Sequence, residues 1–224
     1  MSKPSISSLS ESGKKPSPPD RRKWFEMYAV LITGVLKYIL MDWLELRVFY
    51  IVSACLFWMI YILKRYRTDK QILQDWGFQK SGFKRTFIFG IPLALLLIPG
   101  VFISQTDTST LTWNLIPVLM LYPLWGLIQQ FVMIAIIAGN LGSISSLKLA
   151  KNQVIIIVSF LFALAHYPSW PLMVFTLTME AVFIIAWFRW NNLWALGLLH
   201  GWLGGLFLYL VLERNLWNEL WTIF

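Results

Sequence analysis

From residue 24 onward the chain is a succession of long apolar runs broken by short polar or basic segments. The runs cover 24–41, 48–63, 83–104, 115–138, 154–166, 172–188 and 193–212. A helix needs about 20 apolar residues to cross a bilayer, so most of these runs have the length of a transmembrane helix. None alternates apolar and polar positions as a half-buried strand would. The first run is the weakest, because it carries Glu26 and Lys37. The fifth is short. The pattern predicts an all-α, polytopic membrane helical bundle of about seven spans. Six spans with one helix lying in the interface is the alternative, the first run being the one in question. Pro92, Pro99, Pro117 and Pro123 interrupt two of the runs, which predicts kinks there.

Residues 1–23 are of a different kind. Ser and Pro dominate, apolar residues are nearly absent and the end is basic. Such a segment buries too little apolar surface to offset its ordering entropy, so a disordered tail is expected. No apolar core follows its first basic residues at signal-peptide distance. The expected organisation is this tail, a transmembrane hairpin over 24–69, a core membrane domain over 70–212 and a short tail over 213–224.

Composition supports this reading. The chain has 224 residues, 58% hydrophobic and only 13% charged. That is about half the charge of an ordinary soluble domain. The net charge of +8 could point to nucleic acid, but its distribution argues otherwise. With the tail on one side and the runs alternating across the bilayer, sixteen of the nineteen Lys and Arg fall on the tail's side. Lys37, Arg47 and Arg214 are the exceptions. The segment 104–114 on the opposite side has no Lys or Arg. This is the positive-inside pattern, and it places the N-terminus in the cytoplasm. The partner implied is the lipid bilayer, with no nucleic acid. One Cys excludes a disulfide framework within the chain, and two His are too few for a histidine-built metal cluster.

In an apolar bundle the informative residues are polar ones at bilayer depth, because each is costly unless partnered. Gln129 and Gln130 lie in the fourth run, His166 ends the fifth, Glu180 sits in the sixth and His200 in the seventh. A shared pocket among four helices is feasible. His can act as a general base near neutral pH, whereas Gln can only hydrogen-bond. Glu180 is the one carboxylate deep in a span. The plain alternative is interhelical hydrogen bonding in lipid, with no chemistry. Two His plus Glu180 could bind zinc, but their spacing over three helices gives no local ligand signature, so no metal is expected. Gly201, Gly204 and Gly205 predict close helix packing. No repeat pairs the halves as a transporter's would.

These residues carry a resemblance. Phe162 through His166 reads FALAH, and His200 follows the string NNLWALGLLH. In order and membrane context these resemble the FxxxH and HxxxN motifs of the CPBP family, the membrane proteins that include type II CAAX prenyl endopeptidases. The segment QILQDWGFQKSGFKR resembles the approach to that family's core. The resemblance implies a CAAX-protease-like core over 70–212, no cofactor, and a membrane-attached or lipidated peptide as substrate or partner. The family's bacterial spread implies the bacterial inner membrane. It also implies that glutamates and histidines activate a water for peptide hydrolysis. Here Gln129 and Gln130 stand at the glutamate positions, Ile134 at the arginine and Gly204 at the last Asn or Asp. Gln cannot take the base role. His166 and His200 remain as candidate catalytic residues, with Phe162 and Gly204 as supporting motif positions, and Glu180 is a candidate replacement carboxylate. An intramembrane endopeptidase and a non-catalytic relative that binds a membrane peptide both remain open.

Overall fold

In a computed structural model the described residues are 20–104 and 113–221, with no strand among them. Residues 1–19 of the expected tail and most of the segment 104–114 lie outside the described residues. Seven helices form the bundle: α1 (Asp20–Trp43), α2 (Arg47–Thr68), α4 (Phe83–Phe102), α5 (Leu115–Ser143), α6 (Lys151–Leu164), α7 (Trp170–Trp190) and α8 (Leu193–Val211). Short helices α3 (Ile72–Asp75) and α9 (Leu216–Trp221) lie in the linker after α2 and after α8.

Six of the seven are long and apolar enough to cross a bilayer. The exception is α6. Its 14 residues span about 21 Å, short of the roughly 30 Å hydrocarbon layer. The described residues thus hold six candidate spans and one shorter apolar helix, and the count of about seven is not confirmed. That short member is the fifth run and not the first. The first run forms a full-length helix because its charges have partners: Glu26 is buried against Asn140 and Tyr61, and Lys37 pairs with Asp42 at 2.8 Å. The helix also begins at Asp20, inside the expected tail. Asp20 lies in the first turn, where a carboxylate suits the helix dipole.

Contacts define two ends. At one, Lys23 Nζ donates to Ser143 O at 2.7 Å, Lys151 lies over the Phe188 ring, and Asn192 Nδ2 donates to Ser81 O at 2.8 Å. At the other, Tyr38 Oη donates to Leu164 O at 2.6 Å and Asn114 Nδ2 to Asn218 Oδ1 at 3.1 Å. Lys23, Lys151 and Arg189 are at the first end, and Arg47 and Arg214 at the second. The outward surface is apolar, with Phe25, Met120, Ile156 and Val174 all more than half exposed. That suits lipid as the outer solvent.

Two features of helix geometry position the site. The first is the contact of α5 with α8. A Cβ on Gly201 would lie 2.3 Å from Pro123 Cα, one on Gly197 2.7 Å from Leu127 Cα, and one on Gly126 2.8 Å from Gly197 O. Backbone meets backbone here, and only glycine allows it. Of the predicted small residues Gly201 has this role, whereas a Cβ on Gly204 or Gly205 would meet only ordinary contacts, the nearest at 3.5 Å. The second is a change of winding. Directly after Gln130, α5 widens into π-helical turns over Phe131–Ala138, and the end of α8 does the same over Phe207–Val211. Such turns rotate the faces that follow them and are frequent at functional sites. Pro92 lies in the first turn of a tight 3₁₀ stretch, Ile91–Leu96, within α4.

Candidate functional site

Three of the sequence-picked residues meet in the core. Gln130 and Glu180 are fully buried and His200 nearly so. Gln130 Nε2 donates to Glu180 Oε2 at 2.9 Å and lies 2.9 Å from His200 Nδ1. An amide nitrogen only donates, so Nδ1 accepts, and the neutral ring then carries its proton on Nε2. One carboxamide on α5 thereby ties α7 to α8. The close α5–α8 packing at Gly126, Gly197 and Gly201 sets this reach, since Gly126 is about one turn before Gln130 and Gly197 about one turn before His200.

His166 is placed differently. It follows the end of α6, and its Nδ1 lies 2.8 Å from Phe162 O. A carbonyl only accepts, so Nδ1 bears the proton and the neutral ring keeps its lone pair on Nε2. The Phe162 ring stands edge-on between the two histidines, 4.8 Å from His166 and 5.5 Å from His200 by ring centroids.

A cavity of about 460 Å³ lies beside this arrangement. Phe162, His166 and Gln129 line it, while Gln130, Glu180 and His200 are not among its lining residues. The five picked residues thus divide between the cavity wall and the buried core. Gln129 and His166 face a cavity, and Gln130, Glu180 and His200 form a closed cluster behind Phe162. Gln130 turns into the interhelical core, where Glu180 and His200 meet its amide. Ile134, which the motif resemblance sets at an arginine position, is sealed in the core. Gly204 leaves room at the family's Asn or Asp position, where a Cβ would lie 3.8 Å from His200 Nε2. Among the described residues no group of three or more His, Cys, Asp or Glu is arranged to hold a metal ion.

The sequence reading missed a second buried polar group, at the basic end. Asn140 Nδ2 donates to Glu26 Oε2 at 2.8 Å, Tyr61 Oη donates to Glu26 Oε1, and Arg65 Nε lies 3.9 Å from the same carboxylate. Glu26 is thus a second buried carboxylate, and it ties α1 to α2 and α5. Its signal was present in the sequence as an acid in an apolar run, but it weakened the first span instead of suggesting a partner. Also missed were the charged groups around the cavity, Lys37, Asp42, Arg47, Arg214 and Glu219.

Residues 111–206 match the sequence model of a family described as type II CAAX prenyl endopeptidase Rce1-like. The match takes in Gln130, His166, Glu180 and His200 and leaves α1 to α4 outside it. No curated protein and no solved structure matches the chain. Six membrane-length helices and this match, which covers less than half of the chain, support a multi-pass membrane protein whose segment 111–206 is similar to the CAAX protease (CPBP) family.

Proposed function

We propose that this protein holds a membrane-attached peptide in its cavity, against Gln129 and His166, without hydrolysing it by the family's glutamate chemistry. One observation carries this reading: the carboxamide of Gln130 fills the space between Glu180 and His200, and Phe162 closes the cluster off from the cavity. Hydrolysis needs a base within hydrogen-bond reach of a water at the scissile carbonyl. The cavity side offers an amide at Gln129 and an imidazole at His166. An amide orients a peptide group well and accepts a proton poorly. Gln129 Oε1 is buried without a partner, an acceptor suited to a peptide N–H. The basic end is assigned to the cytoplasm on the positive-inside pattern, and the bacterial inner membrane is the location we infer.

A photocrosslinking peptide tethered to vesicles that contain the purified chain tests this. Adducts are expected on the cavity wall near His166, weakened by Gln129→Leu and by His166→Ala, with the peptide recovered uncut. Adducts unaffected by both substitutions would contradict the proposal.

One observation favours a second reading. Glu180 Oε2 and His200 Nδ1 converge on one nitrogen, which puts a carboxylate and an imidazole a single amide apart. If Phe162 swung aside, Glu180 would supply the carboxylate that positions 129 and 130 lack. Cleavage by the wild type that disappears in Glu180→Gln selects this second reading.

A further inference from the structure

Three basic residues lie away from the basic end: Lys37, Arg47 and Arg214. They come from α1, from the start of α2 and from the segment after α8, yet all three line the same cavity. Two carboxylates hold them. Lys37 Nζ is 2.8 Å from Asp42 Oδ2, a neutral pair. Glu219 on α9 accepts from Arg214 through Nε at 2.9 Å and Nη2 at 2.5 Å, and from Arg47 Nη1 at 3.3 Å. Two guanidinium groups face one carboxylate, so this triad carries one surplus positive charge. Of the other acids that chain order puts at this end, Glu45 and Glu213 are not among the lining residues and Asp107 lies outside the described residues. The triad is partly exposed, from 27% at Glu219 to 40% at Arg214. It sits at the helix ends, the depth of lipid headgroups. Inward of it the wall carries Val30, Ile51, Val118, Leu121, Val132 and Leu172 beside the polar Gln129 and His166. The cavity's volume is that of a single-ligand site.

A surplus cation over an apolar chamber complements an anionic amphiphile. The guanidinium fork matches phosphate oxygens in a two-pronged way. Glu219 already demonstrates the fit, since Arg214 presents two N–H groups to its carboxylate. We propose that this cavity binds an anionic membrane phospholipid, its phosphate between Arg47 and Arg214 and an acyl chain directed inward along the apolar wall. Glu219 is then the internal competitor for the same arginines. Headgroup depth and the apolar wall favour a lipid over a free peptide carboxylate. Lipid and peptide would compete for this one cavity, but lipid retention is read without peptide and depends on the arginines and not on Gln129, His166 or the Gln130 cluster, so the two readings fail separately.

The test uses the purified full chain, delipidated in a nonionic detergent and offered dioleoyl phosphatidylglycerol and dioleoyl phosphatidylcholine. Retained lipid is read by native mass spectrometry. The wild type is expected to keep phosphatidylglycerol about tenfold over phosphatidylcholine. Arg47→Gln with Arg214→Gln removes that preference, while Lys80→Gln with Lys84→Gln at the basic end leaves it. Glu219→Gln, which frees the arginines, is expected to raise phosphatidylglycerol retention several-fold, and Glu45→Gln leaves it unchanged. A triad with only a structural role gives no such rise. Equal retention of both lipids by the wild type, or a Glu219→Gln variant that retains no more than wild type, overturns the proposal. So does displacement of phosphatidylglycerol by a palmitoyl peptide with a free C-terminal carboxylate but not by its methyl ester.

Discussion

A primary amide has two N–H groups, and at position 130 both point at acceptors from other helices. Removing them leaves Glu180 and His200 buried without their donor. Such a loss costs about 1–3 kcal/mol. Gln130→Leu, nearly the same size, is thus expected to lower the unfolding midpoint in detergent, and an unchanged midpoint would contradict the role given to the amide. Gln130→Glu replaces the donor with a second carboxylate against Glu180 and should also destabilise. The exchange Gln130→Glu with Glu180→Gln restores one amide facing one carboxylate, so it should recover a good part of the lost midpoint. Gln130→Glu, Glu180→Gln and the exchange, measured together, separate this pair from general damage. The identities of these residues were legible in the sequence, because Gln130, His166, Glu180 and His200 are polar groups in apolar runs and must find partners. Their division into a closed cluster and a cavity wall was not. It depends on the rotation of α5 about its axis, on the π-helical turns after Gln130, and on where the Phe162 ring comes to rest.

At the scale of helices, the α5–α8 contact determines whether the cluster can form at all. Gly201 brings α8 onto the backbone at Pro123, and a Cβ there would lie 2.3 Å from a main-chain atom that cannot swing away. Gly201→Ala is expected to cost about 1–3 kcal/mol by forcing the helices apart. Gly204→Ala, where the nearest atom would be 3.5 Å away, should be close to neutral. Thermal unfolding of the two variants side by side checks the packing, and equal losses would refute it. The sequence pointed to Gly201 but also to Gly204 and Gly205, and it passed over Gly126 and Gly197. Small residues advertise close packing, but the register of one helix against another is a long-range property that a single run does not encode. The first helix teaches the reverse lesson. Glu26 made its run look doubtful, yet Asn140, Tyr61 and Arg65 from two other helices accommodate it. Asn140→Leu should therefore destabilise the attachment of α1, seen as faster proteolysis between α1 and α2 than in the wild type.

For the molecule as a whole, charge divides the bundle into two ends and sets its expected orientation. Lys148 follows α5 at the basic end, and Asn218 lies on α9 at the other. In a Cys55→Ser background, Lys148→Cys and Asn218→Cys should react with a membrane-impermeant maleimide from opposite sides, Asn218→Cys from outside the cell. Labelling from the same side would contradict the topology. The two-ended distribution of charge was readable from the sequence because it rests on counted residues, and the labelling tests the orientation it implies. The cavity was not, since its walls come from α1, α2, α5 and the segments after α6 and α8. The proposed function is that this chain, with amides at Gln129 and Gln130, holds a peptide and does not cut it. The most direct measurement is cleavage of a bilayer-tethered peptide by the purified wild type, by Glu180→Gln and by Gln129→Glu with Gln130→Glu, all in the same vesicles. No cleavage is expected from the wild type or from Glu180→Gln, with any activity confined to the variant that regains both glutamates. Cleavage by the wild type that is lost in Glu180→Gln would contradict the claim.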